Sequence, residues 1–157
     1  MAYCVCRTDK LAGTYDVAAL VNLKLHANVE NGNVVVIGAR ADGEREAYNS
    51  VTPTADAKLG QIALVCEPEV MYDERKKNFN EFINEAGSIT RGYVLHNGDE
   101  FSITAEGFDG TPKKGSVVEL QAGLKLSAVD SATGGSTTSI GEITDVEGDY
   151  FVIRVKA

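Results

Sequence analysis

The sequence predicts a mainly β protein with one amphipathic helix, built as a small β-barrel or sandwich that carries an N-terminal arm and β subregion. Three observations lead there. Short runs alternate apolar and polar residues, as in Val21, Leu23 and Leu25 against Asn22 and Lys24. Turn pairs such as Asn31-Gly32, Asp42-Gly43 and Asn97-Gly98 punctuate those runs. Only one stretch has helical spacing: Phe79, Phe82, Ile83 and Ala86 fall at i, i+3, i+4 and i+7.

The elements follow in order. Residues 1–16 read as an arm or edge segment, in which only Tyr3 and Val5 ask for a core position. Residues 17–48 read as two strands joined by a turn. The first alternates from Leu20 to Leu25, and the turn is Asn31-Gly32, whose residues tolerate positive φ. Val34-Val35-Val36-Ile37 is apolar on both faces, so it is buried on both sides or covers a partner. Residues 49–60 read as a connection, and Ile62-Ala63-Leu64-Val65 as a short buried strand. The helix is placed within residues 67–87, with Pro68 suited to its first turn and Gly87 to the position past its end.

Residues 88–157 read as all-β. Phe101 and Ile103 alternate with polar neighbours. Residues 109–115 form a loop by composition, and Gln121-Ala122-Gly123 closes a hairpin with Gly123 in the left-handed region. Residues 130–139 form a polar loop. The last two strands, Ile140 to Val146 and Tyr150 to Val155, pair across Glu147-Gly148-Asp149.

The 157 residues suffice for a core without staples, and 43% apolar with 24% charged residues is a globular composition. The net charge of −8 argues against a nucleic-acid binder, which needs cations to displace counterions. It argues equally against a polybasic membrane anchor, and no apolar run has the length of a membrane span. The first residues show neither the basic leader nor the apolar stretch of a secretory signal, so synthesis in a cytosol is expected. Charge is uneven: residues 1–66 carry six bases and seven acids, residues 67–157 nine bases and sixteen acids. The chain therefore divides into 1–66, an arm and β segment that is the candidate partner-contact region, and 67–157, a helix plus an acidic barrel-like body. One continuous domain is the other division the sequence allows.

No catalytic, cofactor-binding or metal-ligating residue is assigned. Cys4 and Cys6 lack the second pair a zinc site requires, and with Cys66 they read as reduced thiols. His26 falls on the wet face of its strand and His96 caps a strand end. No nucleophile elbow, zincin helix, phosphate loop or dinucleotide fingerprint occurs, so the chain reads as not an enzyme. The basic run Arg75-Lys76-Lys77 reads as a solvated face, since Asp73 and Glu74 offset it. Asp99, Glu100, Asp109, Glu142, Asp145, Glu147 and Asp149 offer oxygen ligands, but not in the spacing of a calcium loop.

Two stretches carry a family resemblance. One is Pro68-Glu69-Val70-Met71-Tyr72-Asp73-Glu74-Arg75-Lys76-Lys77, and the other is Phe101 to Gly115 continuing through Val117 to Gly123. With the closing Ile140-Gly141-Glu142-Ile143 and Tyr150 to Val155, they resemble head decoration (auxiliary capsid) proteins of tailed phages that infect Gram-positive bacteria. The resemblance spans about residues 17–157 and leaves the first 16 residues unmatched. It implies a virion structural protein on the capsid surface, made in the bacterial cytoplasm, with the major capsid protein as partner and no cofactor or metal. It also implies a homo-oligomer, for which a trimer is the common form.

Two further readings compete. A host-surface or carbohydrate-binding β module would use aromatic platforms, and without Trp the candidates are Tyr48, Tyr72, Tyr93 and Tyr150. A biotinyl-type carrier would display Lys113 or Lys114 on a hairpin tip, but these lack flanking Met residues.

Overall fold

The computed structural model describes residues 2–73, 75–76, 78–134 and 138–156. Among the described residues twelve strands form two sheets. They are β1 (Cys6–Lys10), β2 (Leu20–Lys24), β3 (Val34–Arg40), β4 (Ala47–Val51), β5 (Ile62–Val65), β6 (Ile89–Val94), β7 (Glu100–Thr104), β8 (Phe108–Asp109), β9 (Val117–Glu119), β10 (Leu126–Val129), β11 (Ser139–Glu147) and β12 (Tyr150–Val155). Strands β2-β4-β3-β5-β6 close into a barrel. The other seven form a curled sheet in the order β1-β7-β12-β11-β9-β10-β8. Closure removes the edges that would otherwise invite strand addition to the barrel.

The run Val34–Ile37 shows how the two sheets are joined. Val35 packs inside the barrel with Leu23, Leu25, Val29, Ala63 and Val65. Its neighbour Val34 belongs to a second cluster with Ile62, Leu64, Tyr93, Phe101, Ile143 and Ile153. The pleat sends alternate residues to opposite faces, so β3 and β5 each serve two cores at once. Their continuous apolar sequence is the signature of strands buried on both faces.

The two sheets do not follow the division at residue 66. β1 joins the curled sheet by pairing with β7, as in Cys6 opposite Ile103. β6 pairs with β2 and β5 and completes the barrel. The first sixteen residues bury more than Tyr3 and Val5 suggested, because Cys4, Cys6 and Leu11 are all in the core. Gly32, at φ +91°, and Gly107 make room for Cys4: a Cβ at either position would meet its Sγ at 2.7 Å.

The expected amphipathic helix over 67–87 is not found among the described residues. Among the described residues the connection from β5 to β6 contains only a 3₁₀ turn, Phe79–Glu81. Two features override the apolar spacing. Asn78, Asn80 and Asn84 are poor helix formers, and a stripe of this length is marginal without packing. In addition, Asn84 has extended pairing with Val29, giving backbone bonds of 2.9 and 3.0 Å.

Three further expectations are corrected. Asn31-Gly32 forms a turn but not a hairpin, since β2 lies between β4 and β6 and never pairs with β3. β4 extends to Val51, into what read as a connection. Gly123 is not among the glycines with positive φ, and the segment from β9 to β10 is longer than a three-residue turn. The loop at 130–139 lies partly outside the described residues. The final hairpin forms as expected, with Glu147 opposite Tyr150.

Leu64 is fully buried in the cluster shared by both sheets. Leu64→Ala is expected to cost about 2–5 kcal/mol in urea melts, while Phe79→Ala, an exposed position, changes stability by less than about 0.5 kcal/mol. Because one cluster joins the sheets, far- and near-ultraviolet signals should report a single transition. Two separated transitions would show that the barrel and the curled sheet fold independently.

Candidate docking surface

β5 and β6 pair directly, yet the chain between them runs from residue 66 to 88. Hairpin connections are usually two to five residues, and long connections in compact domains are commonly functional. Both ends of this segment are pinned by a buried polar network. Asn31 donates from Nδ2 to the Glu67 carbonyl at 2.8 Å and accepts from the Glu67 N–H at 3.0 Å. Asn84 donates from Nδ2 to Asn31 Oδ1 at 2.9 Å and to the Val29 carbonyl at 3.1 Å. Glu67 Oε2 accepts from the Arg91 N–H at 2.7 Å and from Thr90 Oγ1 at 3.2 Å. Buried polar groups are tolerable when satisfied in this way, and they fix one geometry.

Between the pinned ends the segment turns apolar side chains outward. Tyr72 is 94% exposed, Phe79 59% and Val70 58%. Met71, Phe82 and Ile83 are half-buried beneath them and line a cavity of about 320 Å³. Arg75 grips the Asp73 carboxylate through Nε at 3.0 Å and Nη2 at 2.9 Å, which lowers the Asp73 pKa. The 3₁₀ turn is tied to the N-terminal arm, where the Tyr3 N–H donates to the Asn80 carbonyl at 2.7 Å. An exposed apolar ridge on a rigidly anchored loop is the usual form of a protein contact site.

The other sequence candidates have structural roles. His26 bridges two hydroxyls on β4 and just beyond it, with Nδ1 2.6 Å from Ser50 Oγ and Nε2 2.7 Å from Thr52 Oγ1. Ser50 is buried, so this pair offers no accessible nucleophile. The His96 N–H donates to Asp99 Oδ2 at 2.8 Å; Asp99 Oδ1 also accepts from the Ala12 N–H at 3.2 Å, tying the arm to the sheet. Glu119 is buried and holds Thr133 through its N–H and hydroxyl. Lys113 pairs with Asp130 and Lys114 with Asp145. Among the described residues no group of three or more His, Cys, Asp or Glu side chains is placed to hold a metal ion. Lys77 and Glu74 lie outside the described residues.

The tyrosines separate clearly. Tyr93 is buried, Arg40 lies over the Tyr48 ring and Arg7 over the Tyr150 ring, whereas Tyr72 is almost fully exposed. Among the described residues no helix is long and apolar enough to cross a membrane. No family model, curated protein or solved structure matches the chain.

The thiols sit where the arm meets both sheets. Burial pushes the Cys4 thiol up to about 12, partly offset by hydrogen bonds to Thr104. Cys6 is raised well above its ordinary value by the Cys66 thiol beside it and by burial. Cys66 itself is half-exposed.

Two outcomes follow. Asn84→Ala leaves Thr90 and Asn31 short of a partner and should cost about 1–3 kcal/mol, with faster amide exchange across residues 66–88. A thiol-disulfide reagent at neutral pH should label Cys66 alone in the native protein and all three thiols in urea. Labelling of Cys4 before unfolding would show that the arm is not docked.

Proposed function

We propose that the protein is a virion structural protein that binds the outer surface of a tailed-phage capsid and stabilises it. The major capsid protein is its partner, and it acts as a homo-oligomer, a trimer being the form the resemblance implies. The observation that carries this reading is the ridge of Val70, Tyr72 and Phe79 on the anchored 66–88 segment. Part of the resemblance, residues 68–77, lies on that same segment.

The mechanism is passive. Binding to the assembled lattice in preference to free subunits shifts assembly by RT ln(1 + [L]/Kd) per site, about 2.7 kcal/mol at a hundredfold excess over Kd. Contacts made by several copies joined in one oligomer reinforce each other through effective concentration. Rigidity serves this role, because an ordered clip loses little conformational entropy on docking. The shared core and the pinned loop ends supply that rigidity.

Purified protein mixed with expanded capsids should co-sediment with saturable, periodic occupancy, and decorated shells should resist heat or osmotic shock better than bare ones. Tyr72→Ala with Val70→Ser should weaken binding by about tenfold while leaving the melting transition in place. Absence of capsid binding, together with saturable binding on a glycan array, would instead establish the carbohydrate-binding module.

A further inference from the structure

Beside the Phe79–Glu81 turn lies a groove of about 590 Å³. It brings together four aromatic rings, Tyr3, Phe79, Tyr150 and Phe151, and two carboxylates, Glu106 and Asp149. These come from separate stretches of chain: the N-terminal arm, the 66–88 segment, the turn after β7 and the start of β12. Among the described residues that line the groove, none is Lys, Arg or His. Glu30 senses the Glu106 charge: burial raises its pKa and Glu106 adds to that, against the Cys4 N–H and the Lys125 charge, which lower it. Aromatic and acidic residues lining one groove, in a chain of net charge −8, attract cations, and the Tyr150 ring already carries one in Arg7.

The molecule already makes this kind of contact once. The Arg7 guanidinium lies 4.3 Å from the centroid of the Tyr150 ring and donates from Nη2 to Glu147 at 2.8 Å. That is a guanidinium held by an aromatic face and a carboxylate of the β11–β12 turn. Tyr150 and the second acid of that turn, Asp149, both line the groove. Phe79, an exposed residue of the 66–88 segment, is itself part of the groove's lining.

We propose that the groove is a recognition site for a basic peptide segment of the partner protein, whose arginine or lysine side chain enters among the aromatic rings with Glu106 and Asp149 as counter-charges. The inference rests on the docking reading in one respect, that the partner is a protein. It adds the chemistry of the contact, and it gives the acidic β7 and β11–β12 turns a part in it.

Calorimetric titration of the full chain with a synthetic acetyl-Gly-Arg-Gly-Arg-Gly-amide peptide tests it. Saturable binding that weakens as salt is raised is expected, with no binding of the Glu-for-Arg peptide. Glu106→Gln with Asp149→Asn should weaken binding about fivefold or more, and Phe79→Ala about threefold. Asp42→Asn with Glu46→Gln, on the β3–β4 connection and outside the groove's lining, should leave it unchanged. No saturable binding, or an equal loss from the control pair, overturns the proposal. The same variants on capsids separate the two claims. Peptide binding lost and capsid binding kept would discard the groove and leave the decoration role standing. Peptide binding kept with no capsid binding would do the reverse.

Discussion

Two runs apolar on both faces, Val34–Ile37 in β3 and Ile62–Val65 in β5, hold this molecule together. β3 and β5 send Val35, Ala63 and Val65 into the barrel, and Val34, Ile62 and Leu64 against the curled sheet. Every other large feature follows from that double burial. The barrel cannot be separated from the sheet without exposing an apolar surface over both. The sheet in turn holds β1 at its edge, and β1 brings the N-terminal arm to the 3₁₀ turn at Phe79–Glu81. The residues that form the ridge and groove are distant in sequence but are held as parts of one body.

The long 66–88 segment is the price of that arrangement and also its use. A short turn would have joined β5 to β6, so the extra chain is not needed to complete the barrel. Instead the chain leaves the barrel at Glu67, exposes Val70, Tyr72 and Phe79, and returns at Asn84. The Asn31–Asn84–Glu67–Thr90 network fixes both crossings. An apolar loop held in this way presents a preorganised surface. At Phe79 the loop shares a groove with the acids Glu106 and Asp149.

Much of the β framework was legible from residues 20–25, 34–37, 62–65 and 150–155, because alternation and double-sided burial leave direct marks in sequence. The turns at Asp42-Gly43, Asn97-Gly98 and Glu147-Gly148-Asp149 were legible for the same reason. Partners of strands were not, since the parallel pairing of β2 with β4 and the capture of β1 by β7 are decided by packing between distant segments. The exposed apolar segment was concealed by its own spacing. Phe79, Phe82 and Ile83 imitate a helical stripe, and the contrary signal lay in Asn78, Asn80 and Asn84, whose side chains suit caps, turns and bridges better than a helix interior. Nothing local marked the groove either, because the arm, the 66–88 segment, the turn after β7 and the start of β12 that line it are distant in sequence and meet only in the fold.

Hydrogen–deuterium exchange on the protein alone and bound to capsid shells tests the central claim most directly. Binding is expected to slow exchange across residues 68–83 and in the turns at 104–107 and 147–150, with the barrel strands β2 and β4 unchanged. Protection confined to β2 and β4, or no protection anywhere when the protein is mixed with shells, would contradict it.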